Sequence, residues 1–342
     1  MREPRFWHGP SSWKSHLLRP LAALYGAVAA RRLGLEGFDA GIPVICVGNY
    51  HVGGAGKTPT VLALARILRE LGETPVVLSR GYGGRLRGPV MVDPARHLAR
   101  DVGDEPLMMS QDVPVAVARN RIDGVALAKS RRASVILMDD GFQNPSVAKD
   151  ASLIVIDSER GLGNGRVLPA GPLRAPLKPQ LARTDALVVV GDGGAGADVA
   201  SAVTSKGGQV FAARLSPDED SVATLSGKRL LAFAGIGDPA RFFRTLRGCG
   251  LAVVRERAFA DHHVYSESDL DALQADARGD QLALVTTEKD FARLRGGAEP
   301  PAFGSEIAVL AVTLEFADAA ALRKFLAEAL FKARETKFQA RS

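Results

Sequence analysis

The sequence predicts an α/β protein whose larger lobe is a mostly parallel sheet flanked by helices, and three observations predict it. Residues 42–59, IPVICVGNYHVGGAGKTP, form an apolar β-branched run that breaks into glycines. Gly56-Lys57-Thr58 then opens an amphipathic run through Val61, Leu64, Ile67, Leu68 and Leu71, so the segment reads as strand, glycine loop and helix. Second, Val135-Ile136-Leu137-Met138 ends in Asp139-Asp140, which describes a buried strand delivering acids at its carboxyl end. Third, strand-like runs at 74–79, 113–117, 153–157 and 186–190 alternate with helical segments up to about residue 208. Such alternation marks a largely parallel sheet.

The glycine loop is the first element with a chemical reading. Glycines let backbone N–H groups close on phosphate oxygens, and the helix N-terminus adds partial positive charge. His51, Val52, Gly53, Gly54, Ala55, Gly56, Lys57 and Thr58 make up the candidate cradle. In it Lys57 reaches β/γ-phosphates and the Thr58 hydroxyl ligates Mg²⁺. His51 stands where the usual pattern has its first glycine. Asp139 and Asp140, after a strand at this distance, are the expected acids at the metal.

The second strand, at 74–79, ends in Arg80-Gly81-Tyr82-Gly83-Gly84, a loop on the side where doubly wound sheets bind ligands. Arg80 there either contacts phosphate or caps the loop. Asp104-Glu105-Pro106 reads on general grounds as a plain helix start, because carboxylates and proline suit a first turn. Arg119 and Arg121 begin a helix running to about Arg131. The Gly- and Pro-dense stretch 161–174 specifies backbone shape rather than burial, with Arg166 and Arg174 placing cations on it.

A chain of 342 residues is expected to form two lobes, assigned here as 36–214 and a smaller α/β lobe at 215–342 whose last helix packs back on the first. The polar stretch 215–228 suggests the boundary. Beyond it come a strand at 229–234, a tight turn at Gly235-Ile236-Gly237 and a helix through Phe242, Phe243 and Leu246. Asp261-His262-His263 has no third metal ligand in sight; a histidine oriented by a carboxylate for proton traffic competes there with an ordinary loop. A helix capped by Ser266 follows, then a strand at 282–287 running into a polar turn at 288–290. A last strand at 307–312, a helix with Leu322, Phe325, Leu326, Leu330 and Phe331 on one face, and a frayed tail after Lys332 complete the chain.

The first 35 residues form a separate region. Leu17, Leu18, Leu21, Leu24, Tyr25 and Val28 recur at helical spacing, with Trp7 and Trp13 before them and arginines at both ends. An interfacial membrane helix and a helix packed on the body of the protein fit this spacing equally. A signal peptide does not, because Arg31-Arg32 follow the apolar run. No run of about 18 apolar residues predicts a bilayer-spanning helix. The net charge of +6 is enriched where Arg2, Arg5, Lys14, Arg19, Arg31 and Arg32 outnumber Glu3 and Glu36, which points to phosphate-bearing partners without choosing among them. Two cysteines, Cys46 and Cys249, give no disulfide framework.

Taken together and in order, HVGGAGKTP, SRGYG, VGDEP, DDGFQ, GNGRVLPAGPLR, AGIGDPARFF, ADHH and TTEKD closely resemble the tetraacyldisaccharide 4′-kinase family, the lipid A 4′-kinases of Gram-negative bacteria. The resemblance runs from the N-terminal helix to about Asp290. It implies a P-loop NTPase-like, membrane-associated kinase that uses ATP and Mg²⁺. Such an enzyme phosphorylates the 4′-hydroxyl of a tetraacyldisaccharide 1-phosphate at the cytoplasmic face of the inner membrane, without nucleic acid or an obligate protein partner. By the same resemblance Asp104 and His262 are the acid–base residues beside Lys57, and Asp139 and Asp140 sit at the metal. Glu105, Gln143, Arg119 or Arg121, and Arg174 fall in motifs around nucleotide and substrate, and the N-terminal helix becomes the membrane contact. Ala175 departs from the pattern, because relatives commonly carry Glu after the arginine of PLR. Two rivals fail on residues. A partitioning-type ATPase would carry lysine where Val52 stands, and a GTPase would place its lysine one position earlier than Lys289.

Overall fold

The structure, a computed structural model, describes residues 4–9, 12–295 and 307–339; Arg2 and Glu3 lie outside the described residues. After a 3₁₀ turn at Arg5–Trp7 come α1 (Trp13–Leu17), α2 (Arg19–Leu33), β1 (Val44–Gly48), α3 (Lys57–Glu70), β2 (Pro75–Ser79) and β3 (Val90–Met91). These lead into α4 (Ala99–Val102), α5 (Asp104–Met109), β4 (Val115–Val117), α6 (Arg121–Ser130), β5 (Val135–Asp139) and β6 (Ala151–Asp157). Next are α7 (Leu177–Leu181), β7 (Ala186–Val190), α8 (Ala197–Thr204), β8 (Gln209–Pro217) and α9 (Glu219–Leu225). The chain continues through β9 (Arg229–Ala234), α10 (Pro239–Gly248), β10 (Ala252–Ala258), α11 (Glu267–Asp280), β11 (Ala283–Thr287) and α12 (Glu288–Leu294). It ends with β12 (Ile307–Leu310), β13 (Val312–Phe316) and α13 (Ala319–Gln339).

Among the described residues the strands form a nine-stranded sheet, ordered β13-β8-β7-β6-β1-β5-β2-β4-β3, and a four-stranded sheet, ordered β10-β9-β11-β12. All neighbours are parallel except the two outer pairs of the large sheet, β13 on β8 and β3 on β4. β1 lies at the centre and is buried along its length. Its side chains alternate between the two faces: Ile45 and Val47 pack with α3, α5 and α13, whereas Val44 and Cys46 pack with α6 and α8. A strand buried on both faces in this way reads in sequence as a continuous apolar run. In the small sheet β9 plays the same part, dividing Leu230 and Ala232 from Leu231 and Phe233.

The chain leaves the large sheet after Pro217 and re-enters it at Val312. The expected last strand is therefore two strands: β12 pairs with β11, and one residue later β13 pairs with β8 in the other sheet. The polar turn expected at 288–290 is the first turn of α12, because the Thr287 hydroxyl accepts from the Asp290 amide and caps a helix. Nor does the tail fray at Lys332. α13 continues to Gln339, and Lys337 is buried with its Nζ 2.7 Å from Asp39 and 2.9 Å from Asp150. The helical pattern also missed β8 and β10, whose side chains are largely exposed and lack a clear apolar signature.

The N-terminal region packs with one face only. Ala22, Gly26 and Leu33 are buried, Gly26 lies against Pro176, and the Ser15 hydroxyl donates to the Ala170 carbonyl at 2.6 Å. Leu17, Leu21, Leu24, Tyr25 and Val28 remain exposed on the other face. Among the described residues no helix is long and apolar enough to cross a membrane.

The return of α13 gives a stability test. Leu326 is fully buried in the core shared with α3, so Leu326→Ala should cost about 2–5 kcal/mol in urea unfolding followed by circular dichroism. Phe331, expected on the apolar face with Leu330 but exposed in the structure, should shift stability by less than about 0.5 kcal/mol when truncated to Ala. Equal effects at the two positions would remove α13 from the core of the large lobe.

Candidate active site

At the end of β1 the backbone turns through the glycine loop into α3. Gly53 and Gly56 take positive φ, 106° and 88°, conformations that cost a side-chain-bearing residue energy. Gly56 caps α3, and the loop is braced from outside. Val52 N–H donates to the Pro172 carbonyl at 2.9 Å, His51 bridges to Leu173, and Asn49 Nδ2 donates to the Gly53 carbonyl at 3.2 Å. The Gly- and Pro-dense stretch thus shapes the loop. His51 is tolerated at the first position because its backbone pairs with this brace while its Nδ1 lies 2.7 Å from the Val52 carbonyl.

Val52, Gly53, Gly54, Gly56 and Lys57 line a cleft of about 1900 Å³ between the sheets. His51, Ala55 and Thr58 are buried beneath the loop. Lys57 Nζ lies 3.7 Å from Asp140 Oδ1, which also accepts from Arg174 Nη1 at 2.8 Å. Burial alone would raise the Asp140 carboxyl, but these two cations hold it below the usual range. Asp139 contrasts with it. It is buried at the end of β5, its Oδ2 accepts from Ser79 at 3.1 Å, and its Oδ1 has no hydrogen-bond partner. Burial, then the charges of Glu105 and Asp140, push its carboxyl up to about 7. An orphaned, buried carboxyl oxygen in the same cleft as a phosphate loop suits a hard divalent cation.

The expected substrate residues also reach this cleft. Arg121 is buried against the Ala118 and Asp139 carbonyls at 3.3 and 3.4 Å, and its Nε lacks a partner. Gln143 Nε2 donates to the Asn49 carbonyl at 2.7 Å and to Gln180 at 3.0 Å, so it supports the loop as well as facing the cleft. Arg119 instead donates to the Gly84 carbonyl at 3.3 Å. Ala175 is fully buried, its carbonyl accepting from Gln180 Nε2 at 2.8 Å.

Opposite the loop stands Asp104, the first residue of α5. Gly103 before it has φ 95°, and a Cβ there would fall 2.5 Å from the Tyr82 carbonyl, so the VGDEP turn admits only glycine comfortably. Asp104 Oδ2 accepts from His262 Nδ1 at 3.2 Å and from Arg293 Nε at 2.8 Å. Burial would raise this carboxyl, but the His262 hydrogen bond and the Arg293 guanidinium hold it well below the usual carboxylate range. The hydrogen bond to Asp104 in turn raises the His262 imidazole above its ordinary value. Glu105 is ion-paired to Lys289, which holds its carboxyl down. Asp104 and Glu105 belong to the large lobe; His262, Lys289 and Arg293 belong to the small one.

Sequence reasoning missed Lys289 and Arg293 because it placed a turn where α12 lies. The available signal was Thr287 followed three residues later by Asp290, a helix-start pattern. Also missed were two further contacts across the lobes, Arg241 with Asp157 and Arg160 with Asp238.

A parallel sheet, a glycine loop opening a helix with Lys57 and Thr58, acids at the neighbouring strand end and a carboxylate–histidine pair across the cleft define a P-loop phosphotransferase. The chain belongs to the tetraacyldisaccharide-1-P 4′-kinase family, whose model matches residues 14–331. It is 68% identical over 338 residues to the tetraacyldisaccharide 4′-kinase of Bradyrhizobium diazoefficiens, covering 99% of each chain. It is 66% identical over 334 residues to that of Nitrobacter winogradskyi, covering 98% of this chain and 99% of the relative. Among solved structures, the LpxK of Aquifex aeolicus in complex with ATP superposes with a TM-score of 0.72 at 26% identity, over 92% of this chain and 99% of that one.

The pairing of His262 with Asp104 has a measurable sign. Its raised folded pKa means that the stability it contributes is present below the unfolded imidazole value and is lost as pH rises through the folded value. We expect the His262 ring signals in NMR to titrate above the ordinary histidine value, and Asp104→Asn to move that midpoint down. An unmoved midpoint would break the pairing.

Proposed function

We propose that this protein transfers the γ-phosphate of ATP to the 4′-hydroxyl of tetraacyldisaccharide 1-phosphate, giving the 1,4′-bisphosphate. The observation that carries this reading is one cleft lined on one side by the Lys57 loop and on the other by the Asp104–His262 pair. The loop's backbone N–H groups and Lys57 bind and orient the nucleotide phosphates. The acceptor hydroxyl attacks in line; its proton passes to the Asp104–His262 pair as its oxygen bonds to phosphorus and the bond to ADP breaks. Thr58 and Asp139 would hold Mg²⁺, which neutralises charge on the phosphates when bound. Arg121 and Arg174 supply further positive charge near the transferred group.

The acceptor's setting is the second part of the proposal. Tyr25, Val28, Ala29 and Arg32 of α2 line the same cleft, while Leu17, Leu21 and Leu24 face solvent. An apolar helix face flanked by arginines suits the surface of an anionic bilayer. The protein would therefore work as a peripheral enzyme at the cytoplasmic face of the inner membrane, drawing its four-chain lipid sideways into the cleft.

Two measurements test this. With Mg²⁺-ATP and tetraacyldisaccharide 1-phosphate, the wild-type protein should yield a product carrying a second phosphate, and Lys57→Ala should abolish it while the circular dichroism spectrum is retained. A wild-type-like Lys57→Ala rate would sink the phosphate-loop role. In flotation with vesicles containing anionic lipid, Leu17→Glu combined with Leu24→Glu should weaken binding while ATP affinity stays the same; unaltered flotation would refute the interfacial helix.

A further inference from the structure

Asp104 is held by more than its histidine. Arg293 lies near the C-terminal end of α12 with its side chain mostly covered, and its guanidinium approaches Asp104 Oδ2 through both Nε at 2.8 Å and Nη2 at 2.5 Å. The remaining donor, Nη1, goes to the Gly235 carbonyl at 2.7 Å and to Asp290 Oδ1 at 2.8 Å. Asp290 is fully buried and anchored in turn, since its Oδ2 accepts from the Gly235 N–H at 3.0 Å and from the Thr287 hydroxyl at 2.7 Å. A guanidinium fixed at both ends is a rigid strut, because its planar fork loses little freedom on pairing. The strut runs from the core of the small lobe to the Asp104 carboxylate across the cleft.

We propose that Arg293 is a positioning residue for phosphoryl transfer: it fixes the Asp104 carboxylate so that Asp104 orients the His262 ring, with Nε2 turned to the cleft. The inference rests on the kinase reading above. The hydrogen bonds distribute the roles. Asp104 Oδ2 accepts from Arg293 and His262, and Oδ1 accepts from the Glu105 N–H at 3.0 Å. An ionised carboxylate only accepts, so Nδ1 of His262 carries the proton and Nε2 is the ring's basic nitrogen. Arg293 Nη2 also comes within 3.3 Å of His262 Nδ1, a repulsive approach once that nitrogen bears hydrogen. The step balances simply: the acceptor hydroxyl gives its proton to His262 Nε2, its oxygen bonds to the γ-phosphorus, and the β,γ-bridging oxygen leaves with ADP.

Other charges face the trio. Glu105 sits beside Asp104 on α5 with Lys289 of α12 on it, Asp261 Oδ2 lies 4.0 Å from His262 Nε2, and Tyr82 stacks edge-on at 5.8 Å between ring centroids. On neighbouring helices, Asp101 of α4 is engaged by Arg85, and Lys57 of α3 acts on Glu105 across the cleft. None of these replaces Arg293 on Asp104, so its loss removes the main fixed cation facing both groups. Removing a cation raises the pKa of each neighbour, Asp104 and His262 alike.

The experiment compares Arg293→Lys and Arg293→Gln with wild type in the lipid kinase assay across pH, alongside nucleotide binding and the NMR titration of His262. Arg293→Gln should lower kcat by about 10²-fold, leave ATP affinity near wild type, and move the acid limb of the kcat profile and the His262 midpoint to higher pH. Arg293→Lys keeps the charge but not the fork; it should recover part of kcat with both midpoints close to wild type. A wild-type rate and unmoved limb in Arg293→Gln would overturn the inference. So would equal losses in both variants with no pH shift, which is the outcome of a purely structural role. If wild-type protein fails to phosphorylate the lipid, the kinase reading falls, and the His262 titration still decides whether Arg293 governs the pair.

Discussion

Asp104 Oδ2 gathers its donors from the far lobe: the guanidinium of Arg293 and the imidazole of His262. Lys289 engages Glu105 one residue on, and Arg241 closes on Asp157 further along the cleft. Each acid of these pairs sits at the carboxyl end of a strand or the start of a helix in the large sheet. Each cation comes from the small lobe. Buried charge of this kind is strongly destabilising unless partnered, so the two lobes are complementary only when brought together in this relation. The phosphate loop and the proton-handling pair are thus joined into one site by ion pairs across the cleft.

The same logic explains how the phosphate loop keeps its shape. A glycine loop alone is flexible, and its backbone must be held where phosphate oxygens will arrive. Here the 161–174 stretch supplies the brace, through Pro172 on Val52 and Leu173 on His51. It carries the N-terminal region as well: Asn164 Nδ2 donates to the Phe6 carbonyl at 3.2 Å and Trp7 Nε1 to the Pro169 carbonyl at 3.1 Å. The N-terminal region and the nucleotide loop are thus both tied to one irregular segment. Arg174 continues from that segment onto Asp140, linking the brace to the acids.

Much of this was legible in sequence, and the reasons for the rest are physical. The central strands read correctly because burial on both faces leaves a continuous apolar run, and α3 and α13 because one apolar stripe repeats at helical spacing. β8 and β10 did not, since their exposed faces mix polar and apolar residues without a clean period. The break between β12 and β13 is a single residue, Ala311, and nothing local to it tells that the chain changes sheets. For the site, Lys57, Asp139 and the loop followed from motif chemistry alone. Asp104 and His262 looked ordinary by themselves and gained roles only from the family resemblance, because their partnership spans 158 residues. Arg293 escaped both routes: reading 288–290 as a turn hid the helix that carries it.

The charges of the cleft identify where a cation is still wanted. Asp104 is covered by Arg293 and His262, Glu105 by Lys289, and Asp140 by Arg174 and Lys57. Each of these three carboxyls is held below its ordinary value. Asp139 runs the other way, pushed up to about 7 with Oδ1 unpartnered and Oδ2 on the buried Ser79 hydroxyl. Arg121 presents Nη2 to the Asp139 backbone carbonyl rather than to the carboxylate. A buried carboxyl that protein groups leave uncompensated is costly in its charged form, and a divalent ion removes that cost more fully than any single side chain.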